Sequence, residues 1–336
     1  MKILVVNLMQ IGDLVLTTPI FRALRQALPN DFIAAAVNKD FAQLLQFNPF
    51  INRLFTVDKR SLKSLLSTIH AVRLERFDIC LNLNRSERAS ALAALSYAKR
   101  IVGYSKPGFS LLFNEVVPNL KRDIHQVISH FNALDKAGFH LPLAKSDVFI
   151  GDTNLNLPCN NIVAFNVGAS WQSKRWLPEY FAIVADDFIN RGFHVAFLGS
   201  KADLPIVDDC LSFMKGKPII LTGKLSLLQL AAFFDHCQLL ISNDSGPMHI
   251  AAARDCKALS IFGSSPTIGF APWNANHAII KATVPCHPCY RHICPLNGVD
   301  FMRCMKSITP QRVIALANHL INAPHHNGFD CAIFEP

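Results

Sequence analysis

No stretch of this chain approaches 18 consecutive uncharged apolar residues; even the apolar region 225–242 is broken by Gln229, Asp235 and His236. A helix crossing a bilayer needs about 20 such residues, so no membrane span is expected. The opening MKILVVNLMQIGD has a single Lys and only four or five apolar residues before Asn7, too few for a signal-peptide core. The chain is accordingly expected in the cytosol, or at most peripheral to a membrane. Its first strand-to-helix turn, NLMQIGD, lacks the GxGxxG of dinucleotide-binding folds, which disfavours an NAD-dependent dehydrogenase. No turn carries the GxxxxGK[ST] spacing of a P-loop, so nucleoside triphosphatase chemistry is unsupported. Nor does a DxD-like pair of carboxylates stand at these turns to hold Mg²⁺. Charged residues are few, 17% against 51% hydrophobic, which excludes a disordered chain.

What is present is length for about two domains, with 336 residues against the roughly 100 to 200 served by one core. The net charge of +9 and a pI near 9.1 favour an anionic partner: nucleic acid, an acidic membrane surface or a phosphorylated substrate. Ten cysteines in a reducing compartment are not expected to form structural disulfides. Cys80, Cys159, Cys210, Cys237, Cys256 and Cys331 are scattered and read mostly as small buried apolar residues.

The N-terminal half alternates strand and helix patterns. Strands are expected at 2–7, 32–37, 53–57 and 79–83, and helices at 18–28, near 41–47, over 61–75 and over 87–98. The segment DIHQVISHFNALDKAG, 123–138, reads as a longer amphipathic helix stopped by Gly138. The polar, proline-punctuated stretch 141–159 is the best linker. A second rhythm follows, with strands at 162–166, 194–198, 219–221, 238–242 and 258–262 and helices at 178–191, 204–214, 226–236 and 247–253. Two similar α/β domains with open, mostly parallel sheets are expected.

Ligands bind such sheets at the carboxyl ends of the strands, so the strand-to-helix turns carry the candidate chemistry. In the first, Gly12 permits a tight turn and Asp13 either offers a carboxylate to a substrate hydroxyl or caps the next helix. In GASWQSKRWLP, the N–H groups of Gly168–Ser170, a hydroxyl and the cations Lys174 and Arg175 suit a phosphate. In ISNDSGPMH, Asn243–Gly246 makes the turn and Pro247 opens a helix. Ser245 and the free N–H groups at that helix start suit an anion such as a pyrophosphate. Asp244 can cap those N–H groups or accept ribose hydroxyls, and His249 is either a ligand contact or a packed core residue. The fourth turn, GSSPT at 263–267, adjoins the third if the strand order is regular.

Taken together and in order, these segments resemble the heptosyltransferase group of glycosyltransferases, family 9. The likeness lies in IGDLVLTTPIFRALRQALP, RFDICLNLN, IVGY, GASWQSKRWLPEYFA, FLGSKAD, LTGKLSLLQLAAFFDHCQLLISNDSGPMHIAAA, FGSSP, CHPCYRHICP and RCMKSITPQRVI, which span nearly the whole chain. The resemblance implies an α/β GT-B fold: two Rossmann-like domains whose parallel sheets face each other across a central cleft. The N-terminal domain (1–155) would receive the acceptor and the C-terminal domain (156–325) the ADP-sugar donor, with 326–336 a tail. It implies inverting transfer of a heptose from ADP-L-glycero-D-manno-heptose to the Kdo or heptose of the lipopolysaccharide inner core, without a catalytic metal. Asp13 takes the place of the family's catalytic base and Lys174, beside Arg175, that of its phosphate-contacting lysine. Asp244, Ser245, Gly246 and His249 match the family's D-[ST]-G-x-x-H stretch on the donor nucleotide. Gly168 and Ser170 belong with them, and the hydroxyl residue before the lysine is Ser170 or Ser173. Asp203 is the nearest acid to the family's Glu after the FLGS strand end. A phosphorylated, Kdo-bearing acceptor would meet Lys59, Arg60, Lys63 and Arg85, with Arg88, unless these are solvated helix faces. The place of action would be the cytoplasmic face of the inner membrane, by peripheral association.

Cys286, Cys289, Cys294 and Cys304, spaced C-x2-C-x4-C-x9-C, either hold a structural zinc or iron or form a thiol-lined loop packed on the donor domain. Two rivals remain. A nucleotide-sugar epimerase of similar build would turn over the donor without an acceptor. A basic, metal-stapled nucleic-acid-binding protein is disfavoured, because the basic residues spread over both domains without a dense stripe and interleaved aromatics; no nucleic-acid partner is expected.

Overall fold

The computed structural model describes residues 1–118, 124–153, 155, 157, 160–274, 276–329 and 332–334. The expected helix start at Asp123, Cys159, Cys331, residues 154, 156 and 158 of the expected linker and residues 330, 331, 335 and 336 of the tail lie outside these residues. The chain divides into two compact units, Met1–Gly151 and Asp152–Pro336.

In the first unit, β1 (Lys2–Asn7) runs into α1 (Ile11–Val15) and α2 (Thr18–Ala27), followed by β2 (Phe32–Asn38), β3 (Arg53–Val57), α3 (Leu62–Glu75), β4 (Ile79–Asn82), α4 (Glu87–Ala94), β5 (Arg100–Gly103), β6 (Glu115–Val116) and α5 (Gln126–Lys136). The six strands lie in the order β3-β2-β1-β4-β5-β6, and every pairing is parallel. β1 is continuous apolar sequence because both of its faces are covered; Ile3, Leu4 and Val6 are wholly buried. One face packs Leu4, Val6, Val57, Val72, Cys80 and Leu92 into a core with α3 and α4.

The second unit repeats this plan. Its elements are β7 (Ile162–Asn166), α6 (Pro178–Asn190), β8 (His194–Leu198), α7 (Leu204–Phe213), β9 (Ile219–Ile220), α8 (Leu227–Phe234), β10 (Cys237–Asn243), α9 (Gly246–Ala253), β11 (Ala258–Phe262), α10 (Thr267–Phe270), β12 (His277–Lys281), α11 (Arg303–Lys306), α12 (Pro310–Asn322) and β13 (Ala332–Phe334). The sheet order is β13-β12-β11-β10-β7-β8-β9. In both sheets the order reverses beside the first strand, between β1 and β4 and between β7 and β10. That reversal opens a crevice at the carboxyl edge where ligands bind. No helix of the described residues is long and apolar enough to cross a membrane.

The expected helix near 41–47 is instead a 3₁₀ run, Lys39–Leu45, entered by Asn38 accepting from Asp40 N–H and followed closely by Pro49, before which helical backbone is disfavoured. The helix expected over 87–98 stops at Ala94: the Ser96 hydroxyl donates to Ala93 O and Tyr97 adopts a left-handed backbone, φ 57°. Strands β5, β6, β12 and β13 go beyond the sequence pattern. Three of them are four residues or shorter and show no period to read, and the apolar HAIIK of β12 follows a proline- and asparagine-rich stretch that reads as loop.

Candidate functional site

In the first unit, Asp13 stands in the first turn of α1, directly beyond β1. Its backbone is pinned: Asn7 at the end of β1 donates from Nδ2 to Asp13 O (3.3 Å) and to Thr17 Oγ1 (2.6 Å), and the Thr17 hydroxyl donates to Asp13 O (2.9 Å). The N-cap of α1 is Gln10, with no side-chain cap, and the Asp13 carboxylate receives Gln126 Nε2 at 3.0 Å. Gln126 opens α5, where the His125 ring accepts from Val127 N–H, and its own Oε1 is buried with no partner among the described residues. One turn further on, His130 Nδ1 contacts Leu16 O at 3.3 Å, locking α5 onto the end of α1. Burial lowers the His130 imidazole from the usual 6.5 to about 4, so it is neutral.

Nothing in the sequence singles out Gln126, 113 residues from Asp13. Sequence reasoning equally missed Asn84, just beyond β4 and so beside β1, whose Nδ2 is buried without a partner among the described residues. The proposed acceptor cations lie near the N-terminus of α3 and before α4. Lys63 and Arg85 are exposed and Lys59 is half-buried. Arg60 is exposed but paired with Asp40 (3.3 Å) and Asp58 (3.7 Å), and Arg88 donates to Ser61 O at 3.3 Å.

In the second unit, the turns after β7, β10 and β11 stand side by side because those strands are neighbours. Asn166, ending β7, donates from Nδ2 to Gly168 O (3.1 Å), Ser242 Oγ (3.2 Å) and Ser245 Oγ (2.7 Å). Asn243, ending β10, donates to Val167 O (2.7 Å) and accepts from Trp176 N–H (2.9 Å). These two buried amides weld the GASWQSK loop to the start of α9. Trp176 is core, its indole donating to Ile308 O at 2.9 Å.

On that frame Lys174 Nζ reaches Asp244 Oδ2 at 2.7 Å, with both side chains mostly buried, and lies 4.4 Å from the centre of the Trp171 ring. The Ser265 hydroxyl, from the turn after β11, donates to the same Asp244 oxygen. Asp244 thus orients the lysine and does not cap α9. Arg175 donates from Nε to Ala169 O at 2.9 Å, and Ser245 is the N-cap of α9 with no side-chain cap bond, while Pro247 has no N–H and Met248 N–H reaches Ser245 O at 3.3 Å. His249 is buried on α9 within electrostatic reach of His277. Gly168 is needed for close approach: a Cβ there would overlap the Asp203 carboxylate. Asp203 itself caps the 3₁₀ turn after β8 through Ser200 N and Oγ, both 2.8 Å. Of the predicted donor residues, Gly168, Lys174, Arg175, Asp244, Ser245 and Gly246 meet at one edge. Ser170 is exposed and outside this network.

Ser173, not Ser170, is the buried hydroxyl beside the lysine. It pairs with Ser264 Oγ at 2.8 Å, donates to Arg291 O, and its N–H reaches His292 O at 3.1 Å. His292 in turn stacks on Trp171 at 4.2 Å between ring centres. The segment bearing Cys286, Cys289 and Cys294 is thereby tied to the loop that carries Lys174. These three thiols and Cys304 line one cavity, and burial pushes the Cys304 thiol up to about 11. The eight described cysteines are all free, and among the described residues no three His, Cys, Asp or Glu side chains are arranged, as they lie, to hold a metal ion.

Comparison with known proteins gives this edge a context. The family model described as glycosyltransferase family 9 (heptosyltransferase) matches residues 65–299. Lipooligosaccharide heptosyltransferase 2 of Campylobacter jejuni is 34% identical over 169 residues, covering 49% of this chain and 52% of that protein, so the alignment spans about half of that relative. The crystal structure of a family 9 glycosyltransferase from Veillonella parvula superposes with a TM-score of 0.83 at 28% identity, over 95% of this chain and 97% of the other. The E. coli ADP-heptose lps heptosyltransferase II gives a TM-score of 0.79 at 21% identity, over 96% and 98%, which carries the fold.

Proposed function

The chain belongs to glycosyltransferase family 9, whose model matches well over half of it, and from that premise we propose that it moves a heptose from ADP-L-glycero-D-manno-heptose to the Kdo or heptose of a lipopolysaccharide inner core. The observation that carries the reading is the meeting of three strand-to-helix turns around Lys174, Asp244 and the N-terminus of α9. Cation, hydroxyls and a helix N-terminus at the carboxyl edge of a parallel sheet suit a nucleoside diphosphate. The names of the relatives supply the sugar and the acceptor class.

In this mechanism Asp13 accepts the proton of the acceptor hydroxyl, whose oxygen attacks the anomeric carbon from the side opposite ADP. The bond from that carbon to the diphosphate oxygen breaks, and the configuration inverts. Gln126 holds one oxygen of the carboxylate and so fixes how the base is presented. Aspartate carboxylates as a class, with pKa about 3.9, are weak bases, so the proton moves late, when the attacking oxygen has become acidic. Negative charge grows on the departing ADP, where Lys174, Arg175 and the positive N-terminal end of α9 stabilise it without Mg²⁺. Lys174 is pre-oriented by Asp244, which keeps its ammonium in place before the phosphates arrive. Lys59, Lys63 and Arg85 serve the acceptor's anionic groups, and the +9 charge favours peripheral attachment to the cytoplasmic face of the inner membrane.

The test is ADP release from ADP-heptose against a panel of truncated lipopolysaccharide acceptors. Release that depends on one acceptor is expected. Turnover of the nucleotide-sugar alone, with no dependence on any acceptor, would replace transfer by epimerase chemistry.

A further inference from the structure

Helix α3 is apolar on two sides. Leu65, Ile69 and Val72 pack into the core of the first unit with Leu92 of α4. Leu62, Leu66 and Leu74 face outward and are 64%, 55% and 70% exposed. A spacing of four residues aligns 62, 66, 70 and 74 in one stripe along the helix, with His70 as its third member. A surface helix of a globular protein normally turns polar residues outward, so a second apolar stripe needs something to cover it. The patch extends beyond the helix. Arg73 lies over the Tyr97 ring at 4.0 Å and donates to Leu95 O at 2.7 Å, which sets Tyr97, 71% exposed, beside the last turns of α3. Phe109 and Phe113 pack on the same core, and the 3₁₀ turn Ser110–Leu112 between them presents Leu111, 91% exposed, and Leu112. The charges among these leucines select the cover. Residues 58–76 hold the five cations Lys59, Arg60, Lys63, Arg73 and Arg76 against two acids, a net +3 with His70 neutral. Both acids are engaged, Glu75 by Lys2 at 2.9 Å and by Arg53, and Asp58 by Arg60 at 3.7 Å. Glu87, exposed in the first turn of α4, stands between Arg85 and Arg88 in the chain.

We propose that this side of the first unit docks on a bilayer leaflet bearing anionic headgroups, with α3 lying in the plane of the interface. Leu62, Leu66, Leu74, Leu111 and Leu112 enter the boundary of the acyl chains, Tyr97 sits at headgroup depth, and Lys63, Arg73 and Arg76 meet the headgroup phosphates. A groove on a protein partner would have to bury Lys63 and Arg73 together with the leucines. At a bilayer the long basic side chains extend to the headgroups while their neighbours enter the apolar layer, so both kinds of residue are satisfied. The proposal deepens the peripheral attachment drawn above from the net charge and rests on that part of the reading; it requires no heptosyl transfer.

The experiment is co-sedimentation of the full chain with vesicles of two parts phosphatidylcholine to one part phosphatidylglycerol, free of lipopolysaccharide so that the acceptor cannot supply the signal. Binding is expected, and it should fall at least about tenfold on phosphatidylcholine alone, because each cation near an anionic surface is worth about fivefold in affinity. Replacing Leu62, Leu66 and Leu74 together by Gln is expected to weaken binding to the mixed vesicles at least about tenfold with Tm kept, since these side chains lie outside the core. The pair Leu111→Gln and Leu112→Gln, on a separate element, reads the same loss should the α3 variant melt early. Phe213→Gln, on α7 of the second unit and 57% exposed, should leave binding as it was. No binding to the mixed vesicles overturns the attachment and this face with it. Binding that survives both sets of leucine variants keeps peripheral attachment and removes this face from it. A parent dimer that the leucine variants convert to monomer assigns the face to a second copy of the chain and overturns the proposal. Vesicle binding is read without donor or acceptor, so its outcome stands apart from that of the transfer assay.

Discussion

Asp13 and Lys174 are each held by a partner distant in sequence, and their variants are expected to fail differently. Asp13→Ala should lower transfer at least about a hundredfold, the usual scale for a general base, while ADP-sugar binding stays within about twofold. Initial rates and equilibrium titration check this, and near-normal transfer refutes the assignment. Gln126 touches Asp13, the proposed base, through Nε2 at 3.0 Å, and its proposed role is to position that carboxylate. Gln126→Leu is expected to lower kcat about tenfold with donor affinity unchanged, and Gln126→Glu, which sets a like charge beside Asp13, to shift the acid limb of the pH–rate profile upward. A profile identical to the parent's would reduce Gln126 to a packing residue. Lys174→Ala removes the cation from a buried carboxylate as well as from the proposed diphosphate site. ADP is therefore expected to bind at least about tenfold more weakly by calorimetry, with a lower rate, and unchanged values for both would count against the donor role.

Among the elements, the loop after β7 depends on a missing side chain. Gly168 lets the Asp203 carboxylate lie where a Cβ would overlap it, and the same carboxylate lies 3.0 Å from the corresponding point on Gly199, whose φ is +145°. Gly168→Ala is expected to cost about 1–3 kcal/mol of stability through this overlap and to weaken ADP binding. Adding Asp203→Ala should recover part of the loss, so that the double variant is less destabilised than the sum, as melting curves would show. The Gly168 loop, α9 and the turn after β11 were all legible as strand-to-helix turns, because Gly, Ser, Asn and Pro mark backbone conformations locally. That Asn166 and Asn243 would weld them was not legible, since each amide bonds to atoms of another turn.

At the scale of the molecule, each unit buries a neutral histidine. Burial lowers His130 to about 4 and His277 to about 3 from the usual 6.5. A depressed folded value means that the unfolded chain takes up protons first. The stability these groups preserve is complete above about pH 6.5 and is lost as the pH falls toward 4 and then 3. Melting temperatures are expected to decline across that window, and replacing both histidines by glutamine should flatten the decline; an unchanged slope would show that other groups set it.

The sequence by itself determined the alternation of strand and helix, the two parallel sheets and the identity of the polar turns, because hydrophobic period and turn chemistry are properties of a few neighbouring residues. It pointed to Asp13, Lys174 and the α9 start for the same reason. Only the tertiary structure decided what holds them. Gln126 reaches Asp13, Asp244 holds Lys174 and is itself held by Ser265, Ser173 rather than Ser170 is the buried one of the two serines before the lysine, and four cysteines open onto one cavity. These are contacts between segments brought together by sheet order, and a contact of that kind leaves no periodic trace in the chain.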